Sequence, residues 1–210
     1  TDLTEDQLPQ VDIYKYKQVI FVGDSRTEFM ENVLTGMGES ATKNVKFVCS
    51  AGKGLDWFTT TGWAQLYSIV QHDSNSILSK KTAVIFNFGV NDLSKSADYA
   101  EYYNWIAPQL KSKGCELYFM SVNPVNRLML PNAGRADRSE AAVRSFNQYM
   151  KANLSSAYTY IDMYSYLKST GYSFASDKYG SGTIDDGLHY TTRTYKRIFA
   201  KCMDSLRVPA

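Results

Sequence analysis

Short apolar runs rich in β-branched and aromatic residues alternate along this chain with segments whose apolar residues recur at helical spacing. The runs lie at Gln18–Val22, Val45–Cys49, Ala83–Phe88, Glu116–Val122 and Tyr158–Asp162. Continuous apolar runs of this length, closed by turn residues, are the pattern of buried parallel strands. Helical periodicity runs from Thr27 to about Leu34, with Phe29, Met30, Val33 and Leu34 on one side. It returns from about Trp63 to Val70, Asp98 to Lys113, Arg138 to Leu154, after Asp162 to about Ser169, and Thr191 to Leu206. Residues 171–187 are rich in glycine and serine and read as a loop. Alternating strands and helices imply a parallel sheet with right-handed crossovers and helices on both faces. Residues 1–17 lack periodicity and contain Pro9, so they form a lead-in, with 18–210 as a single domain.

Composition changes this picture little. A hydrophobic content of 44% over 210 residues is enough for one full core. The formal net charge of +2 is spread over interspersed charges, which gives no nucleic-acid or membrane-surface patch. No apolar run approaches the roughly 18 residues of a transmembrane span. No signal peptide is read in the acidic opening Thr1–Asp6, although leaders are removed from mature chains. Cys49, Cys115 and Cys202 are widely spaced, with neither metal-motif nor disulfide-framework spacing. Sixteen tyrosines suit either ring packing or a sugar-binding wall, and packing is the commoner use.

The candidate chemistry sits at strand ends. Three successive strands close in Gly23-Asp24-Ser25, Gly52-Lys53-Gly54 and Gly89-Val90-Asn91-Asp92. The carboxyl ends of parallel strands share one edge of the sheet, where open α/β folds place their ligands. Ser25 there is either a helix cap or a nucleophile. A nucleophilic serine needs a base, and the base an orienting carboxylate. His72 lies in a polar stretch, whereas His189 stands in Asp185-Asp186-Gly187-Leu188-His189 at the opening of the last helix. His189 is therefore the candidate base.

Taken in order, Gly23-Asp24-Ser25, Gly54, Gly89-Val90-Asn91-Asp92 and Asp186-Gly187-Leu188-His189 resemble the four motifs of the GDSL/SGNH hydrolases. The resemblance spans about residues 18–206 and implies a three-layer α/β/α, flavodoxin-like doubly wound fold with a five-stranded parallel sheet. It implies a serine esterase without metal or organic cofactor. Ser25 would be its nucleophile, His189 its base and Asp186 the orienting acid, with Asp185 as the alternative. The oxyanion would be held by the main-chain N–H of Ser25, that of Gly54 and the Asn91 amide. Gly52 competes with Gly54, but the family's glycine falls several residues past the second strand, as Gly54 does. Asp24 and Asp92 would brace the loops by accepting turn N–H groups.

The family's leucine is replaced by Arg26. Beside the nucleophile, Arg26 would either meet an anionic substrate or enter a salt bridge. Arg26, Trp57 and Asn123 are the candidate substrate-lining residues. Trp57, Phe58, Tyr172, Phe174 and Tyr179 with polar neighbours suit a sugar better than a long acyl chain. The sequence thus points to hydrolysis of short esters, acetyl groups on a carbohydrate foremost, by a secreted or cell-surface bacterial protein, with the cytoplasm as the alternative. A cell-wall O-acyltransferase and a silent carbohydrate-binding domain are the competing readings. Within the family that the motifs resemble, cell-wall O-acetyltransferases often depart from Gly-x-Asn-Asp, so the resemblance through Gly89-Val90-Asn91-Asp92 implies hydrolysis rather than transfer.

Overall fold

The computed structural model describes residues 16–38, 42–73, 81–179 and 182–207. Most of the expected lead-in lies outside these residues. Its last two members do not: β1 runs Tyr16–Gly23, starting earlier than the apolar run suggests. Tyr16 is pulled into the core, where its hydroxyl meets Tyr118 at 2.9 Å and donates to the Arg207 carbonyl at 2.7 Å.

Five strands form one parallel sheet: β1, β2 (Val45–Cys49), β3 (Lys81–Asn87), β4 (Cys115–Met120) and β5 (Tyr158–Ile161). Their order is β2-β1-β3-β4-β5, so the chain reverses its direction of travel across the sheet between β1 and β3. That reversal opens a crevice at the carboxyl edge. The alternation of strand side chains feeds two cores. Val19, Phe21, Ala83 and Ile85 face the helices Ser25–Gly36 and Thr192–Ser205, packing with Met30, Leu34, Ile198, Phe199 and Cys202. Ile20, Val22, Val84 and Phe86 face Trp63–Asp73, Ser96–Lys111 and Glu140–Asn153, packing with Leu66, Tyr103, Ile106 and Phe146. The tyrosines contribute much of this second core: Tyr99, Tyr103 and Tyr158 stack among Phe58, Phe86 and Phe119.

Register sets where the turns begin. Gly23 pairs with Cys49 on one side and with Asn87 on the other, so three strands end on the same rung. Gly23 has no room for a side chain, since a Cβ would stand 2.0 Å from Thr27 Oγ1 and 2.9 Å from the Asn87 carbonyl.

Two local readings need correction. The glycine- and serine-rich stretch is not a loop but an antiparallel ribbon, β6 (Phe174–Tyr179) with β7 (Gly182–Tyr190). Phe174 stacks on Tyr190 at 5.1 Å, and Tyr172 meets both rings edge-on. Between β2 and the helix Trp63–Asp73, a short turn Leu55–Trp57 and a π-helical turn Phe58–Gly62 extend the helical segment backwards. No helix among the described residues is long and apolar enough to cross a membrane.

Candidate active site

Ser25 is the first residue of its helix, and the cap is Asp24, whose Oδ1 accepts the Arg26 N–H at 3.0 Å. Capping is thus done by the neighbour, and the Ser25 side chain is left for other use. Its Oγ lies 2.9 Å from Nε2 of His189, and His189 Nδ1 lies 2.8 Å from Asp186 Oδ2. A carboxylate only accepts, so the hydrogen is on Nδ1 and the Nε2 lone pair faces the serine hydroxyl. Ser25, Asp186 and His189 are all buried, at 5%, 2% and 6% exposure.

His189 is the penultimate residue of β7 rather than part of the helix opening, where Thr191 is the cap. The turn that presents it is tied by Asp186 itself, whose Oδ1 accepts the main-chain N–H groups of Leu188 at 2.8 Å and His189 at 2.7 Å. Arg135 adds an ion pair to Oδ2 at 3.2 Å. Burial alone would raise the Asp186 carboxyl, but the bonds from the His189 ring and from these N–H groups outweigh it and hold the group below its ordinary value. Asp185, the alternative orienter, accepts from the Gly187 N–H at 2.6 Å and from Asn126 Nδ2 at 3.3 Å, so it braces the turn. Gly187 has φ +72°, and a Cβ there would meet the Asn126 carbonyl at 2.5 Å. His72 is exposed at the end of its helix, away from this cluster.

The second and third turns are stitched together. Asp92 Oδ2 accepts the Leu55 N–H at 2.9 Å, and its Oδ1 accepts the Tyr99 hydroxyl at 2.7 Å. The Gly54 backbone lies against this carboxylate, with a hypothetical Cβ at 2.3 Å from Asp92 Oδ2. Gly52 has open space around it and takes φ +71°, a turn requirement only. Among the described residues, the main-chain N–H groups of Ser25 and Gly54 donate to no protein acceptor. Asn91 Nδ2 donates to the Lys53 carbonyl at 2.9 Å, which leaves one amide hydrogen, and its Oδ1 accepts from Arg138 at 3.1 Å.

Two of the candidate lining residues sit beneath the site. Arg26 is 4% exposed, and its guanidinium donates to the main-chain carbonyls of Leu188 (2.8 Å), Asn123 (2.7 Å) and Pro124 (2.7 Å). It also lies 4.9 Å from the centre of the Tyr190 ring. All of its bonds go to carbonyls, so neither a substrate contact nor a salt bridge describes it. It fastens the ribbon that carries His189 to the end of β4. Asn123 is 2% exposed, and its amide is occupied by Met120 and Ser121. Trp57 is half-buried, with its ring against Phe88 at 6.1 Å. Phe58 is wholly core, so it cannot line a sugar site, and the Tyr179 side chain lies outside the described residues. Tyr172 and Phe174 flank an open cleft of about 760 Å³, together with Arg127, Glu140, Lys168 and Asp185.

Phe29 was legible only as a residue of an apolar helix face. Its ring stacks on His189 at 4.2 Å and 18°, and it remains 40% exposed. The helical offset of four from Ser25 was the available signal, since it places Phe29 one turn above the serine.

The profile of GDSL-like lipases/acylhydrolases matches residues 19–202. Among curated proteins nothing matches the chain. Among solved structures, an acetyl xylan esterase, AlAXEase, superposes with a TM-score of 0.57 at 12% identity, covering 90% of this chain and 100% of its own. A putative SGNH hydrolase from Slackia heliotrinireducens gives 0.53 at 14% identity, over 90% and 99%. The catalytic domain of the Streptococcus pneumoniae peptidoglycan O-acetyltransferase A gives 0.51 at 14% identity, over 90% and 92%. At these identities the likeness is one of fold: a five-stranded parallel sheet covered on both sides.

Proposed function

Because the chain belongs to the GDSL-like lipase/acylhydrolase family, we propose that it is a serine esterase that removes short acyl groups, acetyl foremost, from a carbohydrate. The observation that carries this reading is the unbroken pair of bonds from Ser25 Oγ to His189 Nε2 and from His189 Nδ1 to Asp186 Oδ2.

In this mechanism Ser25 Oγ attacks the ester carbonyl while His189 Nε2 takes its proton. Asp186 holds the ring in the productive tautomer and balances the imidazolium. The charge that develops on the carbonyl oxygen meets the N–H groups of Ser25 and Gly54 and the remaining amide hydrogen of Asn91. Preorganised donors of this kind lower the barrier by about 3–4 kcal/mol each. Collapse of the tetrahedral species expels the alcohol, which His189 protonates, and leaves an acyl-Ser25. Water, deprotonated by His189, then releases the acid by the same steps in reverse.

The near-burial of Ser25 under the Phe29–His189 stack supports a small acyl group. The half-buried Trp57, and the cleft where Tyr172 and Phe174 mix with charged side chains, support a sugar as the alcohol part. The test is turnover of p-nitrophenyl acetate by the wild type, S25A and H189A, followed by acetate release from a panel of acetylated glycans and peptidoglycan. Both variants should be inactive, and acetate should appear from at least one glycan. Faster turnover of octanoyl than acetyl esters would refute the short-acyl reading. Acetate passed to a sugar hydroxyl in preference to water would make the protein a transferase.

A further inference from the structure

We propose that Arg138, which lies outside all four motifs, is a positioning residue that sets the orientation of the Asn91 amide. The inference rests on the reading of Asn91 as an oxyanion donor.

Arg138 stands immediately before the helix Glu140–Asn153, whose cap Ser139 accepts the Ala142 N–H at 3.0 Å. The capped helix fixes the backbone from which the guanidinium reaches across to the third turn. There Nε donates to the Val90 carbonyl at 2.6 Å and Nη2 to Asn91 Oδ1 at 3.1 Å, while Nη1 returns to the Ala136 carbonyl at 2.9 Å. The fork thus grips the main chain just before Asn91 and the Asn91 side chain together.

The chemistry of the partners leaves the amide a single orientation. Arginine only donates, so the Asn91 atom facing it must be the oxygen. The Lys53 carbonyl only accepts, so the atom facing it must be the nitrogen. A flipped amide would set N–H against N–H at one end and oxygen against oxygen at the other. One amide hydrogen is held by Lys53, and the second has its direction fixed before substrate arrives. A donor that does not have to reorganise is the condition for strong oxyanion stabilisation. The three acceptors of Arg138 are neutral oxygens, and burial together with nearby Arg26 lowers the affinity of the guanidinium for its proton.

The experiment is a double-mutant cycle of R138A and N91A with p-nitrophenyl acetate, with kcat, KM and melting temperature measured for each variant. N91A should lose about a hundredfold in kcat. R138A should lose about tenfold or more in kcat with KM within about twofold, as expected for a misplaced donor. The double variant should be no slower than N91A. R138K, which keeps the charge and stem but lacks the rigid planar fork that sets Nε on Val90 and Nη2 on Asn91, should lose kcat with its melting temperature unchanged. It also serves if R138A fails to fold. Equal losses from R138A with and without Asn91 would overturn the proposal alone, as would a raised KM at constant kcat. An N91A protein with full activity would overturn the oxyanion reading and this proposal with it.

Discussion

Replacing Asp24 with asparagine separates the two things this carboxylate brings to the nucleophile's turn, a hydrogen-bond acceptor and a charge. Asp24 is 1% exposed and caps the helix of Ser25. Burial pushes its carboxyl from an ordinary 3.8 up to about 6, against the opposing pull of the Arg26 N–H bond and the Arg26 and Arg138 guanidinium groups. A folded-state value above the unfolded one means that the folded protein holds the proton more tightly. Ionising Asp24 therefore costs stability as pH rises from 3.8 through about 6, and the cost is complete above that window. At about 1.36 kcal/mol per pH unit, the cost is on the order of 3 kcal/mol. Asparagine keeps an oxygen for the cap and carries no charge. Urea unfolding should accordingly show D24N gaining about 3 kcal/mol on the wild type between about pH 4 and pH 7, and no more above it. D24A should run about 1 kcal/mol below D24N at every pH from the missing cap. Wild-type and D24N stability curves that stay parallel across the window would refute the reasoning.

Three further outcomes follow from the same geometry. R26L strips the buried carbonyls of Leu188 and Asn123 of their Arg26 donors, leaves Pro124 with only the Tyr190 hydroxyl, and frees the ribbon from β4, so unfolding free energy should fall by about 3 kcal/mol; unchanged stability in urea would show that the clamp contributes nothing. G54A drives a methyl group into the Asp92 carboxylate, so kcat on p-nitrophenyl acetate should fall at least about tenfold, whereas G52A, with open space but a left-handed backbone, should cost only about 1 kcal/mol of stability and little activity. D186N can still accept N–H bonds through its oxygen, but it turns an NH₂ toward His189 Nδ1 and imposes the wrong tautomer. Its kcat should drop about 10⁴-fold with the fold intact by circular dichroism.

The central strands were legible because each is an apolar run buried on both faces, and the sheet edge followed from their polarity. The residues of the Ser25–His189–Asp186 relay were legible from type and order. What sequence reading missed depends on partners distant in the chain. Arg26 reads as a charge seeking a carboxylate, yet its acceptors are carbonyls 97, 98 and 162 residues away. Arg138 stands at the opening of a helix read from periodicity, where arginine is unremarked, and only the fold brings it to Asn91, 47 residues back. The β6–β7 ribbon was hidden by its glycines and serines, because it lies outside the main sheet. The helix of Ser25 begins before the apolar periodicity does because its first turn is polar, being buried against the ribbon and not against a hydrophobic layer.

The common rung of Gly23, Cys49 and Asn87 divides the labour between the two edges of the sheet. Every group in the proposed chemistry leaves the carboxyl edge or the ribbon fastened to it. The opposite edge, where β3 opens at Lys81 and β4 at Cys115, carries none of these groups. The tight turn before Cys115 runs through the exposed Ser112 to Gly114, whose φ of +78° faces open space. That turn is the natural handle for attaching the protein to a bead, a surface or a fluorophore, since a tether there points the catalytic edge toward the solution.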